Sequence, residues 1–201
     1  MAPMVEARPL PDELTDAGAR LLSEAFIDYP AFLAIGSGRP AHRQRLIRRT
    51  FAGEMAIARR FGGQVIAAWR DGQPVAVAIV FDPGHHVPPV RAIAHHLDYV
   101  LFGPGAVIRG LRVLTAMRRA HLDEPHVWLN ALGVHPAQQR SGAGGVLVKL
   151  VVQRSQELGV PAFLHTTRPE NPAYYRRFGF DVVHEGALPR GKRFWSMLRP
   201  L

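Results

Sequence analysis

Between about His126 and Phe163 the apolar pattern reads strand, glycine-rich turn, helix, strand, and no other stretch of the chain constrains the fold as tightly. The strand runs from about His126 to Val134. The helix carries Ala143, Val146, Leu147, Leu150 and Val151 on one face, and Phe163 lies in the strand that follows. Such an order is a βαβ unit, whose strands lie parallel because the helix returns the chain to the end of the sheet where the first strand began. Ahead of it, Gln64 to Trp69 and Pro74 to Phe81 flank Arg70-Asp71-Gly72-Gln73. Asp-Gly between two apolar runs predicts an antiparallel hairpin. The expected fold is therefore α/β with a mixed sheet, antiparallel early and parallel late.

The helices are legible from their apolar spacing. Leu14, Ala17, Leu21, Leu22, Ala25 and Phe26 form one stripe of a first helix that Asp12 can cap, and Asp28-Tyr29-Pro30 ends it. A polar loop through Gly36, Gly38 and Pro40 leads to a second helix from His42 to about Phe61, marked by Leu46, Ile47, Phe51, Met55 and Ala58. Its arginines, Arg43 and Arg59 among them, are read as solvating its outer side. Breakers cluster at Pro83 to Pro89 and at Pro104-Gly105, with a helix expected between them. Another helix follows, with Val107, Leu111, Leu114 and Met117 inward and Arg109, Arg112, Arg118 and Arg119 on a solvated face. With 201 residues, 47% of them hydrophobic, and no repeat, low-complexity stretch or linker, one domain spanning 1–201 is expected.

Composition removes several chemistries. The absence of cysteine excludes thiolate nucleophiles, disulfides and zinc-thiolate sites. The longest apolar run, Val75 to Phe81, is too short to span a bilayer, and the first residues lack a secretory signal, so a cytoplasmic location without membrane association is expected. A net charge of +9 attracts anions, phosphorylated cofactors included. Three Trp, four Tyr and no recognised motif weigh against nucleic acid. The pairs His85-His86 and His95-His96 come without a His-Glu-x-x-His helix, so no metal is expected. Ser141 lies in no G-x-S-x-G elbow.

The turn itself, Val134 to Gly145, exposes main-chain amides at a helix start, where the dipole favours an anion and small residues let a phosphate approach. It fits neither the dinucleotide pattern nor the P-loop. Gln139-x-x-Gly142-x-Gly144 does resemble the Q/R-x-x-G-x-G/A signature of the GNAT superfamily of N-acetyltransferases. About 30 residues further on, Asn171-Pro172-Ala173-Tyr174-Tyr175-Arg176-Arg177-Phe178-Gly179-Phe180 looks like that superfamily's short helix ending in Y-x-x-x-G-F. Glu124-Pro125, Leu132-Gly133-Val134, Gly159 to Leu164 and Trp195-Ser196-Met197 resemble, in the same order, its puromycin N-acetyltransferase branch. The likeness covers nearly the whole chain and is dense from about residue 124 onward.

The resemblance implies a mixed sheet of about six or seven strands whose parallel central pair splays apart to admit acetyl-CoA. By position, Gln139, Arg140, Ser141, Gly142, Ala143, Gly144 and Gly145 would cradle the pyrophosphate. Leu132, Gly133 and Val134 would bond the pantetheine arm through main chain, and Asn171 would add a further cofactor contact. Tyr175 would protonate the departing thiolate, since a phenol stays protonated at neutral pH. Packing on pantetheine is its plainer role, and Tyr174 has the same chemistry.

Relatives often deprotonate the acceptor amine with a glutamate on the strand before the turn. That strand here presents His126, Trp128 and Asn130 on one face, none acidic. His165 stands where the puromycin branch has a glutamate, as a candidate base or a polar pocket wall. Tyr29, Asn130 and His165, with the segment His85 to Pro89, are expected to form the acceptor pocket. Without an acid, amines already neutral near pH 7 would be favoured. The expected reaction is direct acetyl transfer to a primary amine of a small molecule, such as an aminonucleoside-like antibiotic or arylamine, by a monomer or homodimer. Acetylation of a protein N-terminus or lysine, or a non-catalytic CoA-binding sensor, are the alternatives.

Overall fold

The computed structural model describes residues 5–36, 39–84 and 103–201. Its centre is a seven-stranded sheet in the order β1-β2-β3-β4-β5-β7-β6. The strands are β1 (Glu6–Pro9), β2 (Gly63–Arg70), β3 (Gln73–Phe81), β4 (Val127–Val134), β5 (Ala162–Thr166), β6 (Asp181–Leu188) and β7 (Lys192–Arg199). The hairpin forms as expected. Asp71 and Gly72 both take positive φ, 50° and 76°, the pairing that matches the right-handed twist of the strands it joins.

Among the described strands only β4 and β5 pair in parallel. The expectation of a parallel late half is corrected: β5 pairs antiparallel with β7, and β7 with β6, because the chain passes through the short helix Asn171–Arg176 to β6, one place removed from β5 and in the same direction, and β7 then returns between the two.

Alternation along the strands sends side chains to two cores. Val77, Ile79 and Phe81 face α1 (Thr15–Ala25) and α3 (Pro40–Arg60), packing with Leu22, Phe51 and Met55. Ala76, Ala78 and Val80 face the other way, with Val127 and Leu129, onto Leu147, Val148 and Val151 of the helix after the glycine turn. A third cluster joins α2 (Pro30–Ile35) and α4 (Pro104–Arg119) to Leu188 and Phe194. On α4 the inward residues are Ala106, Gly110 and Val113, whereas Leu111 is 43% exposed. Of the expected stripe, Val107 and Met117 pack partly buried against this cluster, while Leu111 turns outward.

Three arginines expected to be solvated are structural. Buried Arg43 donates to the Ile27 carbonyl at 2.7 Å and pairs with Asp28 at 3.2 Å, tying α3 to the end of α1. Arg59 reaches the Leu10 carbonyl at 3.0 Å and Asp12 at 2.7 Å, so Asp12 holds a cation besides starting the first helical turn. Arg109 likewise donates to the Ile35 carbonyl at 3.0 Å. The helix expected between the breaker clusters, and both histidine pairs, lie outside the described residues.

Candidate active site

The parallel pair is joined over a short stretch. Val127, Trp128 and Leu129 register with Ala162, Phe163 and Leu164, and pairing ends there although β4 runs on to Val134 and β5 to Thr166. At the same point β4 carries a bulge: the β3 register passes from Ile79↔Ala131 to Val80↔Leu129, leaving Asn130 as the extra residue. A bulge bends its strand and re-aims a side chain. The two strands thus open into a cleft immediately after Leu129 and Leu164.

The glycine turn lies at the far end of β4. A 3-10 turn at Pro136–Gln138 is followed by α5 (Ala143–Leu158), whose N-cap Gly142 is left-handed at φ 88° and has no side-chain cap. A Cβ on Gly142 would meet nothing within 4 Å, so the turn presents an open face. Gly144 is set closer, 3.1 Å from Val134 Cγ2 and 3.2 Å from the Tyr174 hydroxyl in the same test. Gly133 makes the tightest approach: a Cβ there would sit 2.6 Å from Leu22 Cδ2, so β4 can lie against α1 only without a side chain at 133. Leu132 and Val134 pack half-buried on the α5 side.

A residue overlooked in the sequence holds this turn from beneath. Arg70, at the end of β2, donates through Nη1 to Gln138 Oε1 at 2.6 Å and through Nη2 to the Ser141 carbonyl at 3.4 Å. Gln139, which matches the signature, is exposed, as is Arg140. Two buried polar atoms here, Arg70 Nε and Ser141 Oγ, have no hydrogen-bond partner among the described residues. Leaving such groups unpaired costs ~1–3 kcal/mol each. An anion laid on the open face of Gly142, with a cation and a hydroxyl at hand, suits this donor set, so the residues fit a pyrophosphate.

Tyr175, in α6 (Asn171–Arg176), is 7% exposed and packs against Phe180 and Tyr174. Burial first, then the neighbouring Tyr29 and Tyr174, pushes its phenol well above the usual range, so it remains a proton donor throughout neutral pH. Asn171 and Tyr29 have other engagements. Asn171 Nδ2 donates to Thr166 Oγ1 at 2.7 Å, the Tyr29 hydroxyl is 2.9 Å from the same oxygen, and it accepts from the Thr167 amide at 3.1 Å. The three side chains pin the α1–α2 junction and α6 to the end of β5, which forms one wall of the cleft. Tyr29 is therefore placed beside the cleft by its hydroxyl, with its ring against Phe26 at 4.6 Å.

A carboxyl that the strand itself lacks reaches β4 from a helix. Asn130 Nδ2 donates to Glu54 Oε2 of α3 at 3.1 Å. Burial raises the Glu54 carboxyl to about 7, and the Asn130 hydrogen bond pulls the other way. The signal was present in the sequence: Glu54 stands seven residues after Ile47, three after Phe51 and four before Ala58, on the apolar stripe of α3. An acid on an inward stripe needs a reason.

His165 is held in its neutral form. Its Nδ1 lies 3.0 Å from Ser196 Oγ, and that hydroxyl spends its one proton on the Ala120 carbonyl at 3.3 Å. Nδ1 must then carry the hydrogen, leaving Nε2 as an acceptor, buried and unpartnered. Burial, then His121, His184 and His126, lowers its pKa to about 3. A neutral imidazole so reluctant to protonate serves as a wall and an acceptor. It belongs to an aromatic group on the same sheet face: Phe163 at 4.9 Å from its ring, and Trp128 between Phe81 at 5.4 Å and His121 at 4.7 Å. Among the described residues no group of three or more His, Cys, Asp or Glu is placed to hold a metal ion. His85 to Pro89, expected at the pocket, lie outside the described residues.

Residues 35–180 match the model of the Acetyltransferase (GNAT) family. The chain belongs to this family. Solved structures agree on the fold. A Corynebacterium glutamicum protein described as histone acetyltransferase HPA2 and related acetyltransferase superposes with a TM-score of 0.72 at 21% identity, covering 98% of this chain and 96% of its own. The Drosophila melanogaster polyamine N-acetyltransferase, which forms N-acetylagmatine, gives 0.63 at 17% identity, covering 98% and 100%. The PaiA N-acetyltransferase of Thermoplasma acidophilum, solved with coenzyme A, gives 0.59 at 12%, covering 98% and 99%. In this GNAT chain no helix of the described residues is long and apolar enough to cross a membrane.

Proposed function

We propose that the protein transfers the acetyl group of acetyl-CoA directly to a primary amine of a small molecule. The observation that carries this is the pair of unpartnered buried atoms, Arg70 Nε and Ser141 Oγ, beneath an open left-handed glycine at the mouth of a splayed strand pair. Family membership supports it, as do related folds solved with coenzyme A and with acetyl-CoA.

Acetyl-CoA supplies the thioester as co-substrate. The turn from Gln139 to Gly145, with Arg70 behind it, holds the pyrophosphate. Main chain of Leu132, Gly133 and Val134 aligns the pantetheine arm, and main-chain donors near the bulge hold the thioester carbonyl oxygen. The amine nitrogen bonds to the carbonyl carbon while the C–S bond breaks; Tyr175 gives its proton to the sulfur, and the nitrogen loses one proton to a base in the cleft. Holding both reactants in one cleft supplies most of the advantage, and no acyl-enzyme forms.

For the acceptor, relatives of this fold are named for polyamine, agmatine and β-alanyl-dopamine chemistry, which favours a small amine. The puromycin-branch likeness adds the aminonucleoside-like antibiotics and arylamines, and with them a role in antibiotic resistance. The chain would act as one domain, monomeric or homodimeric, in the cytoplasm, needing no metal, membrane or nucleic acid. A thiol-release screen with acetyl-CoA against a mixed amine library, products read by mass, tests this. Acetylated small amines are expected. Acetylation confined to protein N-termini or lysines would refute the small-molecule assignment.

A further inference from the structure

We propose that Glu54 receives the acceptor's ammonium group and takes its proton, and that the acceptor is a basic primary amine borne on a flat aromatic or heteroaromatic body. This rests on the acetyl-transfer function proposed above. The carboxyl of Glu54 faces the β4 bulge, at the level where the parallel pairing with β5 stops. Among the described residues its sole hydrogen bond is the one from Asn130 to Oε2, which fixes the carboxyl's orientation and leaves Oε1 to meet a ligand. Asn130 is thus a positioning residue, on the α3 side of β4 with Trp128.

The walls beside that carboxyl are flat and uncharged. Trp128 stacks on Phe81 at 26° and meets His121 edge-on, and across the strand pair Phe163 contacts both His121 and His165. A planar body lying against such rings gains the offset or edge-to-face contacts that aromatic pairs prefer. Trp128 Nε1 and His165 Nε2 are both buried without a partner among the described residues, one a donor and the other, by the Ser196 argument, an acceptor. They form a complementary pair that a heteroaromatic edge can satisfy. Since His165 is neutral, it does not repel an ammonium held by Glu54. The expectation of weakly basic acceptors, which followed from an apparently missing acid, is thereby reversed.

Other charges near α3 are already committed. On α1, Asp16 pairs with Arg48 and Arg20, and Glu24 lies 3.2 Å from His135 of the turn. Arg70 of β2 is bound to Gln138, and Asp82 beyond β3 to Arg154. Among the described residues the causes that shift Glu54 are burial and Asn130, with no charged group added. Its titration is therefore governed by the cleft itself.

The test compares four acceptors with acetyl-CoA: 2-phenylethylamine and tryptamine (ring and basic amine), butylamine (no ring) and aniline (ring, weakly basic amine). Wild type, Glu54→Gln, Glu54→Asp and Trp128→Leu are assayed for kcat/KM from pH 6 to 9, with CoA affinity measured separately by calorimetry. The aromatic basic amines should lead butylamine and aniline by about tenfold or more, and Trp128→Leu should erase the lead over butylamine. Glu54→Gln should lower kcat/KM by ~10²-fold, the usual scale for a general base, with CoA affinity unchanged; Glu54→Asp should recover part of it. Transfer by wild type that Glu54→Gln leaves intact would overturn this inference alone. Butylamine or aniline equalling the aromatic basic amines would overturn the acceptor class. No transfer to any amine, with CoA still bound, would overturn it together with the proposed function.

Discussion

Replacing Gly142 by alanine separates the turn's role in ligand binding from its role in the fold. Gly142 has φ 88°, and a methyl group there meets no protein atom within 4 Å, so the whole cost within the protein is backbone strain. A left-handed non-glycine residue costs ~1–2 kcal/mol, and for a chain of this size each kcal/mol moves Tm by about 2–4 °C, giving a fall of about 2–8 °C. Gly159, the C-cap of α5, is the internal control: it too is left-handed, at φ 63°, and a Cβ there also meets nothing. Gly142→Ala and Gly159→Ala should therefore lower Tm by similar amounts in thermal scans. They should differ in CoA affinity by calorimetry. At Gly142 the methyl stands on the face assigned to the pyrophosphate, and Gly142→Val should block it further, whereas Gly159 lies at the other end of the helix. Equal CoA affinity for wild type, Gly142→Ala and Gly142→Val would refute the cradle.

Four other outcomes follow. Tyr175→Phe should lower kcat by ~10²-fold with CoA affinity nearly unchanged, because the ring keeps its packing and only the proton donor is lost; an unchanged kcat with chemistry limiting would leave Tyr175 a packing residue. Arg70→Met should weaken CoA binding at least as much as Arg140→Met, since Arg70 is bound into the turn while Arg140 is exposed, and calorimetry reads the difference. Gly133→Ala should cost ~1–3 kcal/mol in urea unfolding, because fully buried Leu22 cannot yield to a Cβ at 2.6 Å. Finally, the Glu54 carboxyl is raised from 4.5 to about 7, so its folded form binds a proton more tightly than the unfolded chain. Its favourable contribution is complete below about pH 4.5 and is lost as pH rises through 7; Glu54→Gln should therefore stabilise the protein at pH 8, by up to ~3 kcal/mol, and have little effect at pH 4.

The βαβ unit and the hairpin were readable because each rests on local rules: a period change across a glycine turn, and Asp-Gly between apolar runs. The glycine turn and the Y-x-x-x-G-F helix were readable for the same reason. What the sequence hid was assembled from distant segments. Arg70 reaches Gln138 across 68 positions, and Asn130 reaches Glu54 across 76, so no window of neighbouring residues contains either pair. Period-2 alternation put Asn130 on the α3 side of β4 with Trp128 and missed the bulge beside it. His165 looked like a base because an unperturbed imidazole is one; only the packing of Phe163, His121 and Phe194 around it shows why it stays neutral. On α4, the periodicity found Val107 and Met117 but put Leu111 inside, while the buried line runs through Ala106, Gly110 and Val113.

The most direct test of acetyl transfer is a stoichiometric one: incubate the protein with acetyl-CoA and 2-phenylethylamine, and count free CoA thiol, N-acetyl product and protein mass together. The account predicts one N-acetylated amine for each CoA released, with the protein's mass unchanged at every time point. CoA bound at the turn with no thiol released from acetyl-CoA by any amine would contradict it, and would make the chain a CoA-binding sensor.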